Sequence, residues 1–200
     1  MRVSAHWFRP GAQRPVAQVA GAAAVVAFRL ARNAQRRLRS AGFELPAGAA
    51  YFAVLSEILA FLVIAADRIA HGRGDEAWRV EFTTALANRA AEIVADNQSE
   101  LLGTGSAAAC KERFIALVNS RAPDYAQCGF DEAGADYAFL RCAGHRVGDA
   151  MAPHERTWAV QQVIEIEAPE AIDALQRAIR DLLDTGPRPT RARGGGAPRG

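Results

Sequence analysis

The stretch AAYFAVLSEILAFLVIAADRIAH, residues 49–71, is the most apolar run of the chain and decides the fold. It is too long for a β-strand, and as a helix it would carry apolar side chains on nearly every face. Such a helix is either the centre of a soluble bundle or a membrane span. Glu57 lies in the middle of the run, and the apolar run without it is shorter than the roughly 20 residues that spanning requires. We therefore expect a soluble bundle.

Apolar residues three and four positions apart predict an all-α, single-domain bundle of about six helices around this central hydrophobic helix. Prolines stand where helices begin, and glycines stand where they end. The predicted helices cover approximately 15–41, 47–71, 75–102, 106–121, 130–151 and 153–184, the last bent near Pro169. Trp158, Val163 and Ile166 are expected to continue the apolar stripe of the last helix. Residues 160–167 also alternate as a strand would, but helix is favoured because a lone strand has no partner.

The two ends of the chain differ from this pattern. Residues 1–14 are predicted to form an irregular arm, residues 15–186 the helical bundle domain, and residues 187–200 a disordered tail of Pro, Gly and Arg. The tail has no large apolar side chain whose burial could offset its ordering entropy. The apolar run Val16–Phe28 superficially resembles a signal peptide, but it continues at helical spacing, so a first helix is the preferred interpretation.

Composition excludes several classes of protein. The formal net charge of +2 is too small to indicate a specific nucleic-acid partner, and no membrane partner is expected. The cysteines, Cys110, Cys128 and Cys142, are odd in number and lack C-x-x-C spacing, which indicates neither a disulfide framework nor a zinc site. A reducing cytoplasm is the expected compartment.

One face of the first helix is basic. It carries Arg29, Arg32, Arg36 and Arg39. Such a stripe could touch phosphate or an acidic partner, but no aromatic residue interleaves it and no recognition motif accompanies it. A solvated helix face is the preferred interpretation.

No catalytic motif, cofactor or metal site is predicted. The four histidines are scattered, without the Glu-x-x-His of di-iron bundles. A mixed site that joins Glu57 to Glu92 or Asp136 remains an alternative. Cys110, Cys142 and His145 are the candidates for nucleophilic chemistry, and Cys142 and His145 are three residues apart on one helix. A small buried thiol beside a surface imidazole is the more common arrangement.

The segment KERFIALVNSRAPDYAQ, residues 111–127, resembles a pattern in uncharacterised bacterial helical proteins. There a phenylalanine-containing helix leads to Asn-x-Arg, here Asn119 to Arg121, and to a later tyrosine, here Tyr125. The resemblance covers about a quarter of the chain. It implies an all-α fold and no known activity.

Two classes of function fit these observations. The first is a non-catalytic helical protein that acts through contacts with an unknown protein partner or through self-association into a homo-oligomer. The second is a bundle with an internal apolar or metal-bearing pocket that binds a small ligand. Its predicted polar lining consists of Ser56, Glu57, Asp67 and Asn97. Glu57 distinguishes the classes, because a buried carboxylate needs a partner. We expect an arginine of another helix, such as Arg89, Arg121 or Arg141, if its role is structural.

Overall fold

The computed structural model describes residues 15–103 and 106–183, and within these ranges the protein is an all-α bundle with one very short β-hairpin. The predicted fold class is confirmed, whereas the predicted arm 1–14 and tail 187–200 lie outside the described residues. In chain order the elements are α1 Val16–Ser40, α2 Ala49–Ala70, α3 Glu76–Leu102, α4 Ala107–Ala126, β1 Phe130–Asp131, β2 Gly134–Ala135, α5 Tyr137–Asp149, α6 Arg156–Gln162, a π-helical turn Val163–Glu167, and α7 Ala168–Leu183.

Helix α2 is the centre of the bundle. Helices α1, α3, α4, α5 and α7 all pack against it. Leu59 and Leu62 are fully buried, and most of the other apolar side chains of α2 are also out of contact with solvent. By length and composition α2 could cross a membrane, but 67% of its most apolar segment is buried inside the protein. This burial is that of a core helix in a soluble protein.

Small side chains bring the first helix close to its neighbours. The buried face of α1 is largely alanine, including Ala20, Ala23, Ala27 and Ala31, and α1 packs closely on α3. Gln35, also on this face, donates from Nε2 to the carbonyl of Tyr51 at 2.8 Å. This hydrogen bond fixes the end of α1 against the beginning of α2.

The predicted helix 130–151 is wrong in its first part. Residues 130–135 form a hairpin in which Phe130 pairs with Ala135 and Asp131 pairs with Gly134. Gly134 has φ +121°, a conformation that glycine adopts without steric cost. Asp136 then caps α5 by accepting a hydrogen bond from the Phe139 amide at 2.7 Å. The helix therefore begins only at Tyr137.

The predicted end of the fourth helix at residue 121 is also wrong, because α4 continues through Pro123 to Ala126. Pro123 has no N–H for the carbonyl four residues earlier, that of Asn119. Both residues are exposed, so water can satisfy that carbonyl. Tyr125 is 1% exposed, and its burial favours continuation of the helix into the core.

The predicted helix 153–184 is continuous from Arg156, and its irregularity lies just before Pro169. Residues 160–167 are helical, so the alternative of a strand is wrong. The π turn Val163–Glu167 ends two residues before Pro169. In an α-helix the ring of Pro169 would clash with the carbonyl of Glu165. The wider π turn relieves that clash, and such turns are frequent at functional sites.

Two glycines of α5, Gly144 and Gly148, lie where neighbouring elements approach closely. A Cβ atom added to Gly144 would lie 2.5 Å from Cγ1 of Ile164, and one added to Gly148 would lie 2.5 Å from Cγ2 of Val160. Helix α5 thus packs against α6 and the π turn with no room for side chains at these two positions.

Candidate functional site

Glu57 is held by an arginine of another helix. Arg121 of α4 donates from Nη2 to Oε1 at 2.5 Å and from Nε to Oε2 at 3.0 Å. The side chains of Glu57 and Arg121 are 10% and 22% exposed. The hydrogen bond from Arg121 to Glu57 raises the pKa of Arg121 above its usual value. Of the three arginines expected from the sequence, Arg121 is therefore the partner, and both carboxylate oxygens of Glu57 accept from it.

Asp67, one of the predicted lining residues, also has partners within the protein. Arg79 of α3 donates to both of its oxygens, at 2.6 and 3.0 Å, and Thr83 donates its hydroxyl at 2.6 Å. Burial raises the pKa of Asp67, but the hydrogen bonds from Arg79 and Thr83 and the charge of Arg79 outweigh it. The pKa of Asp67 is therefore lowered, and this carboxylate stays ionised and joins α2 to α3.

The four predicted lining residues do not meet at one place. Glu57 and Asp67 are ten residues apart on one helix, which separates them by about 15 Å along its axis. Asn97 is partly buried and donates to the carbonyl of Ile93 in its own helix at 2.8 Å. Ser56 is partly buried on α2. None of the three pockets described below is lined by any of them.

A small cavity of about 10 Å³ lies in the interior of the described part of the chain, between α1, α2, α5, the π turn and α7, and most of its lining is apolar. Its polar neighbour, Glu167, is 2% exposed and accepts a hydrogen bond from Arg37 of α1 at 2.6 Å. A volume of this size holds about one water molecule and is too small for an organic ligand.

A larger pocket of about 520 Å³ opens at the surface, between the turn after α1 and the segment 154–165. Gly42, with φ +99°, makes the turn that brings Phe43 to one side of it. Its lining residues are Ala41, Gly42, Phe43, His154, Glu155, Trp158, Gln161, Gln162 and Glu165, and we call this site the Trp158 pocket. Trp158 is 69% exposed, although the large apolar surface of a tryptophan is normally buried.

Glu155 is the buried charge of the Trp158 pocket. It is 9% exposed, and Oε1 accepts a hydrogen bond from the backbone amide of Glu44 at 2.7 Å. Its other oxygen, Oε2, is buried and has no hydrogen-bond partner among the described residues. An unpaired buried carboxylate oxygen is costly, and native structures keep few of them. Oε1 of Gln35, in the core, is the other unpaired buried side-chain oxygen among the described residues, and Oε2 of Glu155 differs from it in belonging to a residue that lines a surface pocket.

The π turn divides two carboxylates between the pocket and the core. Glu165 is exposed and lines the Trp158 pocket, whereas Glu167, two residues later, faces the interior and pairs with Arg37. The carboxyl groups of Glu155 and Glu165 line the pocket, and no Lys or Arg side chain does. The pocket is thus acidic and partly aromatic.

An Arg-rich cleft of about 780 Å³ lies between the end of α2, the hairpin and α7. Its arginines are engaged: Arg68 donates to the carbonyl of Tyr125 at 3.1 Å, and Arg180 donates to the carbonyl of Glu132 at 3.2 Å. The exposed carboxylates of Asp131 and Glu132 also line it. Because charges of both signs line this cleft, it does not define one class of ligand.

The candidate nucleophiles lack the necessary environment. Burial raises the pKa of Cys142, which therefore stays protonated near neutral pH, and His145 is exposed on the same helix. Cys110 is buried and lies 2.9 Å from Nη2 of Arg113 and 3.1 Å from Oε1 of Gln98. The chemistry of Cys142 is that of a packed thiol, since the thiolate is the reactive form.

The carboxylates of the alternative metal site are also separated. Glu92 accepts from Arg89 at 2.8 Å, and Asp136 caps α5, so neither is aimed at Glu57. Within residues 15–103 and 106–183 no three His, Cys, Asp or Glu side chains form a group that could hold a metal ion.

All four arginines of the predicted basic stripe are exposed on α1. Arg39 donates to the carbonyl of Leu45 at 2.6 Å and lies 5.8 Å from the ring centre of Tyr51. Arg36 donates to Asn33 one turn earlier, and Arg32 lies 6.0 Å from the ring centre of Phe28. These contacts within the chain are typical of a solvated helix face.

The sequence prediction missed the Trp158 pocket. Trp158 and Ile166 were expected on the buried stripe with Val163, but they are 69% and 41% exposed and Val163 alone is buried. Residues five apart on an α-helix point about 140° away from each other, so Trp158 and Val163 could not share a face. That spacing was the signal available in the sequence.

Comparisons of the chain with protein-family models, with curated proteins and with solved structures gave no match.

Proposed function

We propose that this is a non-catalytic binding protein that acts in the cytoplasm through a protein partner, and that the Trp158 pocket is its contact site. The observation that carries the proposal is the large exposed indole of Trp158 beside the unpaired buried oxygen of Glu155. Tryptophan is enriched among the residues that dominate protein interfaces, where its ring fills a pocket and its edge stays polar.

The interior supports this proposal. Glu57 and Asp67 are both satisfied by arginines of neighbouring helices, and the interior cavity is too small for an organic ligand. The alternative function, an internal ligand pocket lined by Glu57, has no comparable support. The pairing with Arg121 is what a structural role of Glu57 predicts.

The cytoplasmic assignment rests on the cysteines. Cys110, Cys128 and Cys142 are all free, and burial raises the pKa of both Cys128 and Cys142. Free thiols of this kind are common in a reducing compartment. The faint resemblance of residues 111–127 to bacterial helical proteins suggests a bacterial relative, again without an activity.

Native mass spectrometry of the protein purified from its source tests the proposal. We expect a complex of fixed stoichiometry, with a second protein or a second copy of the chain, that is lost in Trp158→Ala. The matched control is Leu101→Ala, which removes another exposed apolar side chain, 65% exposed, outside the pocket. A complex that survives Trp158→Ala unchanged, or a wild-type protein that carries only a tightly bound metabolite, contradicts the proposal.

A further inference from the structure

The chemistry of the Trp158 pocket specifies which group of the partner it receives. We propose that the pocket binds the guanidinium group of an arginine side chain supplied by the protein partner. This inference rests on the proposed function and deepens it. It is argued from three features of the pocket: the orphaned oxygen of Glu155, the exposed face of Trp158, and the sign of the surrounding charge.

The orphaned oxygen requires a donor. Oε1 of Glu155 is already occupied by the Glu44 amide, which leaves Oε2 for one further hydrogen bond. A charged donor gives a stronger bond to a carboxylate than a neutral one. Oε2 is covered in the unbound protein, so the proposal requires that a pocket side chain rotates to admit the ligand. Trp158 and Gln161 are exposed, and exposed side chains change rotamer on the picosecond to nanosecond timescale.

The exposed indole favours a flat cation. Guanidinium groups stack on tryptophan faces and are attracted by the negative face of the ring, most strongly where water is partly excluded. The guanidinium is also less strongly hydrated than an ammonium group, so it enters a half-buried site at lower cost. An arginine is therefore preferred to a lysine. The arginine next in sequence to Glu155, Arg156, does not occupy the site, because it pairs with Asp149.

The charges around the pocket exclude an anion. Glu155 and Glu165 line it, no Lys or Arg side chain does, and the exposed Glu44 lies beside it. Gln161 and Gln162 add side-chain carbonyl oxygens that can accept from the remaining N–H groups of a guanidinium. The four side chains Glu155, Gln161, Gln162 and Glu165 can thus all serve as acceptors, and arginine offers five donors and no acceptor.

The test uses the fluorescence of Trp158 in the full-length protein. Trp7→Phe and Trp78→Phe leave Trp158 as the single indole, and Phe at position 78 keeps a ring in the stack with Phe82. The probes are acetyl-Ala-Arg-Ala-amide and the same peptide with lysine or with citrulline, the neutral isostere of arginine. We expect saturable binding of the arginine peptide and weaker binding of the lysine peptide. The citrulline peptide should bind at least about ten-fold more weakly than the arginine peptide, because one charge-assisted hydrogen bond is lost.

Two variants locate the binding. Glu155→Gln keeps an acceptor for the Glu44 amide but removes the charge. It should lower the affinity for the arginine peptide about ten-fold. Glu112→Gln removes an exposed carboxylate of α4 that does not line the pocket, and it should leave binding unchanged. If Glu155→Gln unfolds, Glu165→Gln is measured instead. Because Glu165 is exposed, this change should lower the affinity for the arginine peptide without affecting the fold.

The outcomes separate the inference from the proposed function. Equal binding of the arginine and citrulline peptides overturns the inference. So does the absence of arginine binding while the native complex still depends on Trp158, and in that case the proposed function stands. Arginine binding that requires Glu155, combined with a native complex indifferent to Trp158→Ala, overturns the proposed function and leaves a cation pocket.

Discussion

Glu57→Gln is the most informative change to the interior, because it removes a charge while keeping the shape of the side chain. In the wild-type protein both carboxylate oxygens accept hydrogen bonds from Arg121. The glutamine retains one acceptor oxygen but places an NH₂ group against the guanidinium. Arg121, which is 22% exposed, is then left partly buried without its counter-charge.

The expected loss follows from the burial of the pair. Breaking a fully buried ion pair by removing one partner costs about 3–5 kcal/mol. An exposed pair is worth about 0–1 kcal/mol. The exposed fractions of 10% for Glu57 and 22% for Arg121 place this pair between the two limits, nearer the buried one. We expect the free energy of unfolding to fall by about 2–3 kcal/mol, which lowers Tm by about 4–12 °C for a domain of this size.

Equilibrium denaturation in urea, followed by far-ultraviolet circular dichroism, measures this loss for Glu57→Gln and Glu57→Ala. Glu112→Gln, at an exposed position of α4, is the control and should stay within about 0.5 kcal/mol of wild type. A Glu57→Gln variant as stable as wild type, or more stable, would refute the reasoning. Such a result is expected of a carboxylate that is held unpaired for a ligand.

Three further variants test other parts of the structure by the same unfolding measurement. Leu59→Ala, at a fully buried position, should lose about 2–5 kcal/mol, and an unchanged midpoint would contradict the central place of α2. Gly144→Ala should lose about 1–3 kcal/mol, because its Cβ would lie 2.5 Å from Cγ1 of Ile164; an unchanged midpoint would contradict that close packing. Asp67→Asn should destabilise the protein at neutral pH. Arg79 and Thr83 lower the folded pKa of Asp67, so its contribution is present above the unfolded pKa and is lost as pH falls through the folded one. The two proteins should therefore converge in acid, and a constant difference down to strongly acidic pH would show that the charge of Asp67 is not the cause.

The central helix could be predicted because its signal is local. A run as apolar as 49–71 must be covered on all sides, and the charge of Glu57 in its middle makes a bilayer span costly. It was also predictable that Glu57 would pair with an arginine, since a guanidinium matches a carboxylate in geometry. Which arginine it would be was not predictable, because that depends on how α4 lies against α2.

The spacing of Trp158 and Val163 shows that they do not share a helix face, but the Trp158 pocket itself could not be predicted because its parts are distant in sequence. The amide of Glu44 and the carboxylate of Glu155 are 111 positions apart, and only the folded chain shows that one oxygen of Glu155 is left over. The π turn before Pro169 adds a residue to the helical turn, so the periodicity of an α-helix assigns the wrong faces to its residues. The hairpin 130–135 was missed because each strand has only two residues, too few to show alternation.

The central claim is that Glu57 serves stability and Trp158 serves binding. The direct test is to measure, for Glu57→Gln and Trp158→Ala, the fraction of folded protein found in the native complex, at a temperature where both variants are folded. We predict that Glu57→Gln keeps the complex and that Trp158→Ala, which alters an exposed side chain, loses it. The reverse result, with the complex lost in Glu57→Gln and kept in Trp158→Ala, would contradict the account.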